Sequence, residues 1–476
     1  MRKTKYNIVA TCVVAVICWG AARLHADDLA FVLDEGNIWG ASPADFFSAV
    51  NPQGKPAAFD WASQTEKERA RYPAWRNSPE ITLFGMHLCD AVALFEDGSL
   101  ARIECSLYNK GDAEINPRQG VGVIHDEETF VAMLKKSAAR IDKWAGGPGK
   151  NLEPKRLTTT GIKMMRRVWT KKPYLIEMRW AFTKAGRGRD ETFLGEYVTV
   201  VFSEYSRDND PTALNISSVK DRYDGWAEDK DFSVNVKNNF QGDVYVAGIP
   251  MVNQGEKGYC VVAALERMLR YYGAEIDKHA LAQLGQSSGK RGTVMGRMLD
   301  TLEEADTKLG IHVDLEYSIA EDLEDWTDLV RKYNREAGRH DKPEIKDEQW
   351  VSQEGRQRMY HISKMVSLLD SEVYISLRNK RFYADFNRFQ RQVKQEISEG
   401  RPVLWGVWLG IVPEPGVSGN GVTGHARLVV GYNEKKNQLL YSDTWGRGHE
   451  LKRMPLEDAW AITTFLTTIT PRRRQY

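Results

Sequence analysis

Cys260, His425 and Asp443 are the residues of this chain whose types and placing could do covalent chemistry, and Gln254 stands shortly ahead of the first. A thiol with a base to take its proton, and an acid to orient that base, can form and break an acyl–sulfur bond. Cys260 opens a run in which Val261, Val262, Leu265, Met268, Leu269 and Tyr272 share one helical face, with Glu266, Arg267 and Arg270 on the other and Gly273 as the stop. The cysteine is thus expected on the first turn of a helix. There the N–H groups and partial positive charge favour thiolate over thiol. Gly255 and Gly258 would allow close backbone approach, which could bring a substrate to the sulfur.

His425 stands in "TGHARLVVGYN", at the head of an apolar strand, and Asp443 in "LLYSDTWGRG", at the end of the next. The interval from Asn433 to Asn437 reads as a turn, so the two strands form a hairpin that can hold His425 and Asp443 side by side. The amide of Gln254 could reach the anion formed when a thiolate adds to a carbonyl, with the Cys260 backbone N–H as second donor. Singly, these residues read as a helix-start thiol, a strand-end histidine, a turn-forming aspartate and a surface glutamine. In this order they point to catalysis.

The elements that must position them belong to a long chain. At 476 residues two domains are expected, with Lys+Arg 66 against Asp+Glu 65, a balance that lacks the footprint of a nucleic-acid binder. Arg2, Lys3 and Lys5 precede an apolar run from Ile8 to Ala22, and Leu24-His25-Ala26 could be a cleavage site. Residues 1–26 therefore read as a signal peptide, and the protein as exported, periplasmic or secreted. The run is shorter than the roughly 20 residues of a spanning helix, which disfavours a permanent anchor, and no membrane span is expected in the mature chain. Removing the leader leaves Cys89, Cys105 and Cys260, an odd number that fits one disulfide and one free thiol.

The expected class is α+β throughout. Residues 27–242 read as an N-terminal α+β domain. In it, alternation on both sides of Glu96-Asp97-Gly98 predicts a hairpin setting Cys89 opposite Cys105, bridged or as two buried thiols. A helix from Asp126 ends at the glycines after Trp144, and strands follow around Ile176–Phe182 and Glu196–Tyr205. His87 and His125 lack partners at metal-ligand spacing, and neither a metal nor a cofactor is expected. The polar interval from Ser206 to Gly242 marks the boundary, and residues 243–476 form the second domain. Helices are expected over 277–285, 293–309, 320–337, 357–378 and 381–399, with strands again beyond Arg401. The charged stretch Glu321–Glu354 reads as a solvated helical insertion. Trp405 and Trp408 read as packing residues, and the glycine-rich loop Pro413–Gly424 as one able to border a site.

With these residues in view, the order Gln, Cys, His, Asp resembles the papain-like cysteine peptidase superfamily. "QGEKGYCVVAA" and "GHARLVVGY…YSDTWG" are most similar to its bacteriocin-processing, double-glycine branch. The resemblance implies a helical half carrying the nucleophile and an antiparallel sheet carrying the other groups. It implies Cys260 as nucleophile, His425 as general base and acid, Asp443 as orienting residue, Gln254 as oxyanion-hole donor, and Trp445 as a shield for the histidine. The cysteine and tryptophan that flank the nucleophile in true papains are absent, and Asp443 takes the place of their asparagine. "GQSSGKRGT" is not a phosphate-binding loop, because Arg291 follows the lysine. The expected activity is peptide hydrolysis on a peptide or protein substrate. Transpeptidase, isopeptidase or amidase chemistry would use the same residues, a transglutaminase-like enzyme shares the order Cys, His, Asp, and a non-catalytic binding protein could keep the fold.

Overall fold

The computed structural model describes residues 28–34, 38–51, 57–73, 79–116, 122–156, 163–186, 191–206, 230–274, 277–293, 295–309, 311–320, 322–354, 357–417 and 421–471. The proposed leader and most of the polar interval before Gly242 lie outside them. The chain folds as two compact units, one of residues 1–221, 255–259 and 282–292, the other of 222–254, 260–281 and 293–476. Both mix helix and sheet.

The first unit is built on an eight-stranded antiparallel sheet, with strands in the order 60–61, 69–73, 90–96, 99–109, 192–204, 174–185, 163–171 and 150–156. Its helix Glu127–Ala145 is set by local signals at both ends. The Asp126 side chain accepts from the Thr129 N–H at 2.7 Å, and Gly146 closes the helix with φ of 81°. Phe130, Ala138 and Ile141 are buried on it, in a core rich in edge-on aromatic pairs.

The hairpin around Asp97-Gly98 forms, but its register corrects the expected cysteine pairing. The two-residue turn would set Cys105 opposite Asp90, and a shift between Leu94 and Phe95 moves it to Ala91, so Cys89 is its diagonal neighbour, and both are free buried thiols. Gly258 also differs from expectation. A Cβ there would lie 2.7 Å from the Gly292 Cα, so the missing side chain serves backbone packing within this unit. Beside it, the Lys257 ammonium is buried at 2.6 Å from Asp112.

The second unit carries its own eight-stranded sheet. In it the strand Thr423–Asn433 pairs with Val403–Leu409 and Asp243–Val246 along one side and with Gln438–Ser442 along the other. Val403–Leu409 is buried at every position, as a strand covered on both faces must be. Trp405 and Trp408 are packing residues: Trp405 donates to the Thr463 hydroxyl at 2.8 Å, and Trp408 stacks on Trp326.

Two expectations fail in this unit for physical reasons. Residues 357–378 are not one helix, because Gln357–Tyr360 pairs as a strand with Val351–Glu354 before helices Ile362–Val366 and Ser371–Arg381. Their apolar spacing satisfied a helical period by accident of the junction. Nor is Glu321–Glu354 a solvated insertion. Its helix Leu323–Ala337 buries Leu329, Val330, Tyr333 and Glu336, the last held by Arg339 at 2.6 Å and Lys380 at 3.1 Å. Ile311–Ser318, whose apolar residues alternate, is a sheet strand that the helical reading passed over.

Candidate active site

Cys260 is the first residue of the helix Cys260–Tyr271. The face read as polar is not solvated: Glu266 and Arg267 are each 1% exposed. Arg267 turns inward instead. It donates to the Pro250 carbonyl at 2.9 Å, the Asp443 carbonyl at 2.9 Å and the Ser442 hydroxyl at 2.6 Å, tying the cysteine helix to the end of the aspartate strand.

His425 lies near the start of Thr423–Asn433, and Asp443 directly follows Gln438–Ser442. Because these strands pair, with Leu428 opposite Ser442, the two side chains meet: His425 Nε2 is 2.6 Å from Asp443 Oδ1. The Cys260 thiol hydrogen-bonds the same imidazole, whose Nε2 is engaged by Asp443. Thiol, imidazole and carboxylate thus form one chain of contacts.

Burial pushes the Cys260 pKa up, but the imidazolium of His425 and the backbone N–H groups of Ala426 and Val261 outweigh it and leave the thiol below its ordinary value. For His425, burial favours the neutral ring, yet the hydrogen bonds and charges of Asp443 and Cys260 raise its pKa to about 9. Asp443 would be raised by burial and is instead lowered to about 2 by His425, Arg427 and the Thr444 N–H. All three shifts favour a thiolate–imidazolium pair at neutral pH.

Gln254 is fixed beside this group. Its backbone N–H donates to the Thr444 carbonyl at 2.8 Å, and its Oε1 accepts from the Thr444 hydroxyl at 2.5 Å. With Oε1 so oriented, the amide nitrogen is on the opposite edge. Trp445 stacks on His425, with centroids 4.8 Å apart and planes at 24°, and His449 meets the indole edge-on at 5.4 Å. The structure therefore gathers Cys260, His425, Asp443, Gln254 and Trp445 around one centre.

Arg427 and Glu414 also belong there, and the sequence reading passed over both. Arg427 Nε donates to Asp443 Oδ2 at 2.9 Å, and its other nitrogens meet Glu414 at 3.0 and 2.9 Å. Tyr441 donates to Glu414 at 2.7 Å. A signal existed, since an arginine two residues after His425 in an otherwise apolar strand faces the same side. Among the described residues, no group of His, Cys, Asp or Glu could hold a metal, and no helix is long and apolar enough to cross a membrane.

Comparison with known families supports a peptidase domain in the second unit. Residues 357–468 match the model of the Peptidase_C39 like family, a segment that contains His425 and Asp443 and begins after Gln254 and Cys260. The chain thus carries a domain of the C39-like, papain-type cysteine peptidase family, in the double-glycine branch that its motifs resemble. No curated protein matches the chain at a significant level.

Proposed function

We propose that the protein is an exported cysteine peptidase in which Cys260, His425 and Asp443 hydrolyse peptide bonds. The observation that carries this reading is the continuous contact from thiol to imidazole to carboxylate, with the sulfur held below its ordinary pKa. The Cys260 thiolate adds to the scissile carbonyl. The Gln254 amide and the Cys260 backbone N–H receive the oxyanion. His425 gives its proton to the leaving amine, whose C–N bond breaks as the thioester remains. It then takes a proton from water, whose oxygen attacks the thioester and releases acid and free thiol. Asp443 keeps the ring oriented and charged during the first step, and Trp445 keeps water from its face.

In this reading, residues 1–26 are a removable leader, 27–242 an N-terminal domain and 243–476 the papain-like catalytic domain. The test is release of new amino termini from a peptide mixture by the purified protein. Cys260→Ala should abolish it and Gln254→Ala should cut kcat by roughly 10²–10³-fold. Cleavage that survives Cys260→Ala would end the proposal.

A further inference from the structure

The second unit holds a cleft of about 960 Å³, at the upper end of the roughly 300–1,000 Å³ typical of ligand sites. Trp445 forms part of its lining, and the same indole lies stacked on His425, so the cleft reaches the residue that covers the catalytic ring. Ile375 lines it from the helix Ser371–Arg381; Leu409, Ile411, Val412 and Val417 line it from the end of the sheet strand and the loop that follows. This wall is a built feature. Glu414, itself among the lining residues, is anchored by Arg427 and Tyr441, and Arg427 is the residue that holds Asp443.

Paired glycines offer no side chain to such a space. The lining also carries His340, Glu372 and the hydroxyls of Ser371 and Ser376, but its larger part is apolar, and that part, one indole away from His425, gains most from burying a large apolar side chain. We propose that it is the specificity site and that it takes a bulky aliphatic or aromatic residue of a peptide substrate close to the scissile bond, rather than a pair of glycines. The inference rests on the peptidase reading.

Cleavage of a random peptide library, with the residues on both sides of each cut identified by mass spectrometry, tests it. Leu, Ile, Phe or Trp should exceed Gly at least about tenfold at one position beside the cut, since even one methylene in an apolar pocket discriminates by about 10–200-fold. That preference should collapse in Ile375→Asp, on the helix, and in Val417→Asp, on the loop, each first shown by urea unfolding to be folded. Cuts after Gly-Gly, cuts without side-chain preference, or a preference unchanged in both folded variants would overturn the proposal. So would fast iodoacetamide labelling of wild-type Cys260 at pH 6 with no cleavage of any apolar sequence. Slow labelling with no cleavage would overturn the peptidase reading itself, and this inference with it.

Discussion

Replacing Asp443 with asparagine keeps the size and the hydrogen bond beside His425 but removes the charge. The rise of the His425 pKa from 6.5 to about 9 corresponds to about 3 kcal/mol in favour of imidazolium, supplied jointly by Asp443 and the thiolate against the cost of burial. Losing the Asp443 charge should remove about 1–2 kcal/mol of this. The imidazolium then stabilises the Cys260 thiolate less, and the thiol pKa moves up toward the ordinary range. The assay is the iodoacetamide labelling rate of Cys260 from pH 4 to 10, with the adduct located by mass spectrometry. At pH 6 the variant should label roughly 5–30-fold more slowly than wild type. Toward pH 10 the two rates should converge, because the ring is then mostly neutral in both and the sulfur mostly ionised in both. Superimposable profiles, or a wild-type midpoint at or above the ordinary thiol value of about 8.5, would refute the argument that Asp443 acts on the sulfur through the imidazole.

Other outcomes follow from the same contacts. Arg427→Met leaves the buried carboxylates of Asp443 and Glu414 without their shared cation and should destabilise the protein by about 3–5 kcal/mol in urea unfolding; a loss under about 1 kcal/mol would contradict this. Asp243, buried against Arg453, Asn433 and Asn239, is raised by burial but held net down at about 2 by those partners. A carboxylate with a depressed folded pKa contributes stability above its unfolded value of about 3.9 that is lost as pH falls toward 2. Asp243→Asn should therefore flatten the acid limb of a stability-versus-pH curve between about pH 4 and pH 2. Cys89 and Cys105 are free and buried. A thiol reagent should miss both in the native protein and find both in guanidinium without reductant; detection of a disulfide-linked peptide would contradict the hairpin register.

The sequence by itself determined the parts whose signals are local. The helix from Cys260 announces itself through apolar spacing and a glycine stop, the hairpin of His425 and Asp443 through two apolar runs and a short turn, and the helix Glu127–Ala145 through its caps. Gln254 could be singled out as well, because the role proposed for it depends on order along the chain. Only the tertiary structure decided what depends on register and burial. The two-residue turn at Asp97-Gly98 and the shift near Phe95 each moved the pairing by one residue and set Ala91, not Cys89, opposite Cys105, since strand pairing fixes which side chains face each other. Arg267 and Glu266 looked solvated on a helical wheel, yet other elements cover that face and Arg267 became a buried clamp on the aspartate strand. Gln357–Tyr360 joined a strand pair because Val351–Glu354 lay beside it, a contact that no helical period can report. The Arg427–Glu414 link joins a strand to a loop 13 residues away, and its charges are held in place only because burial removes the water that would otherwise compete for them.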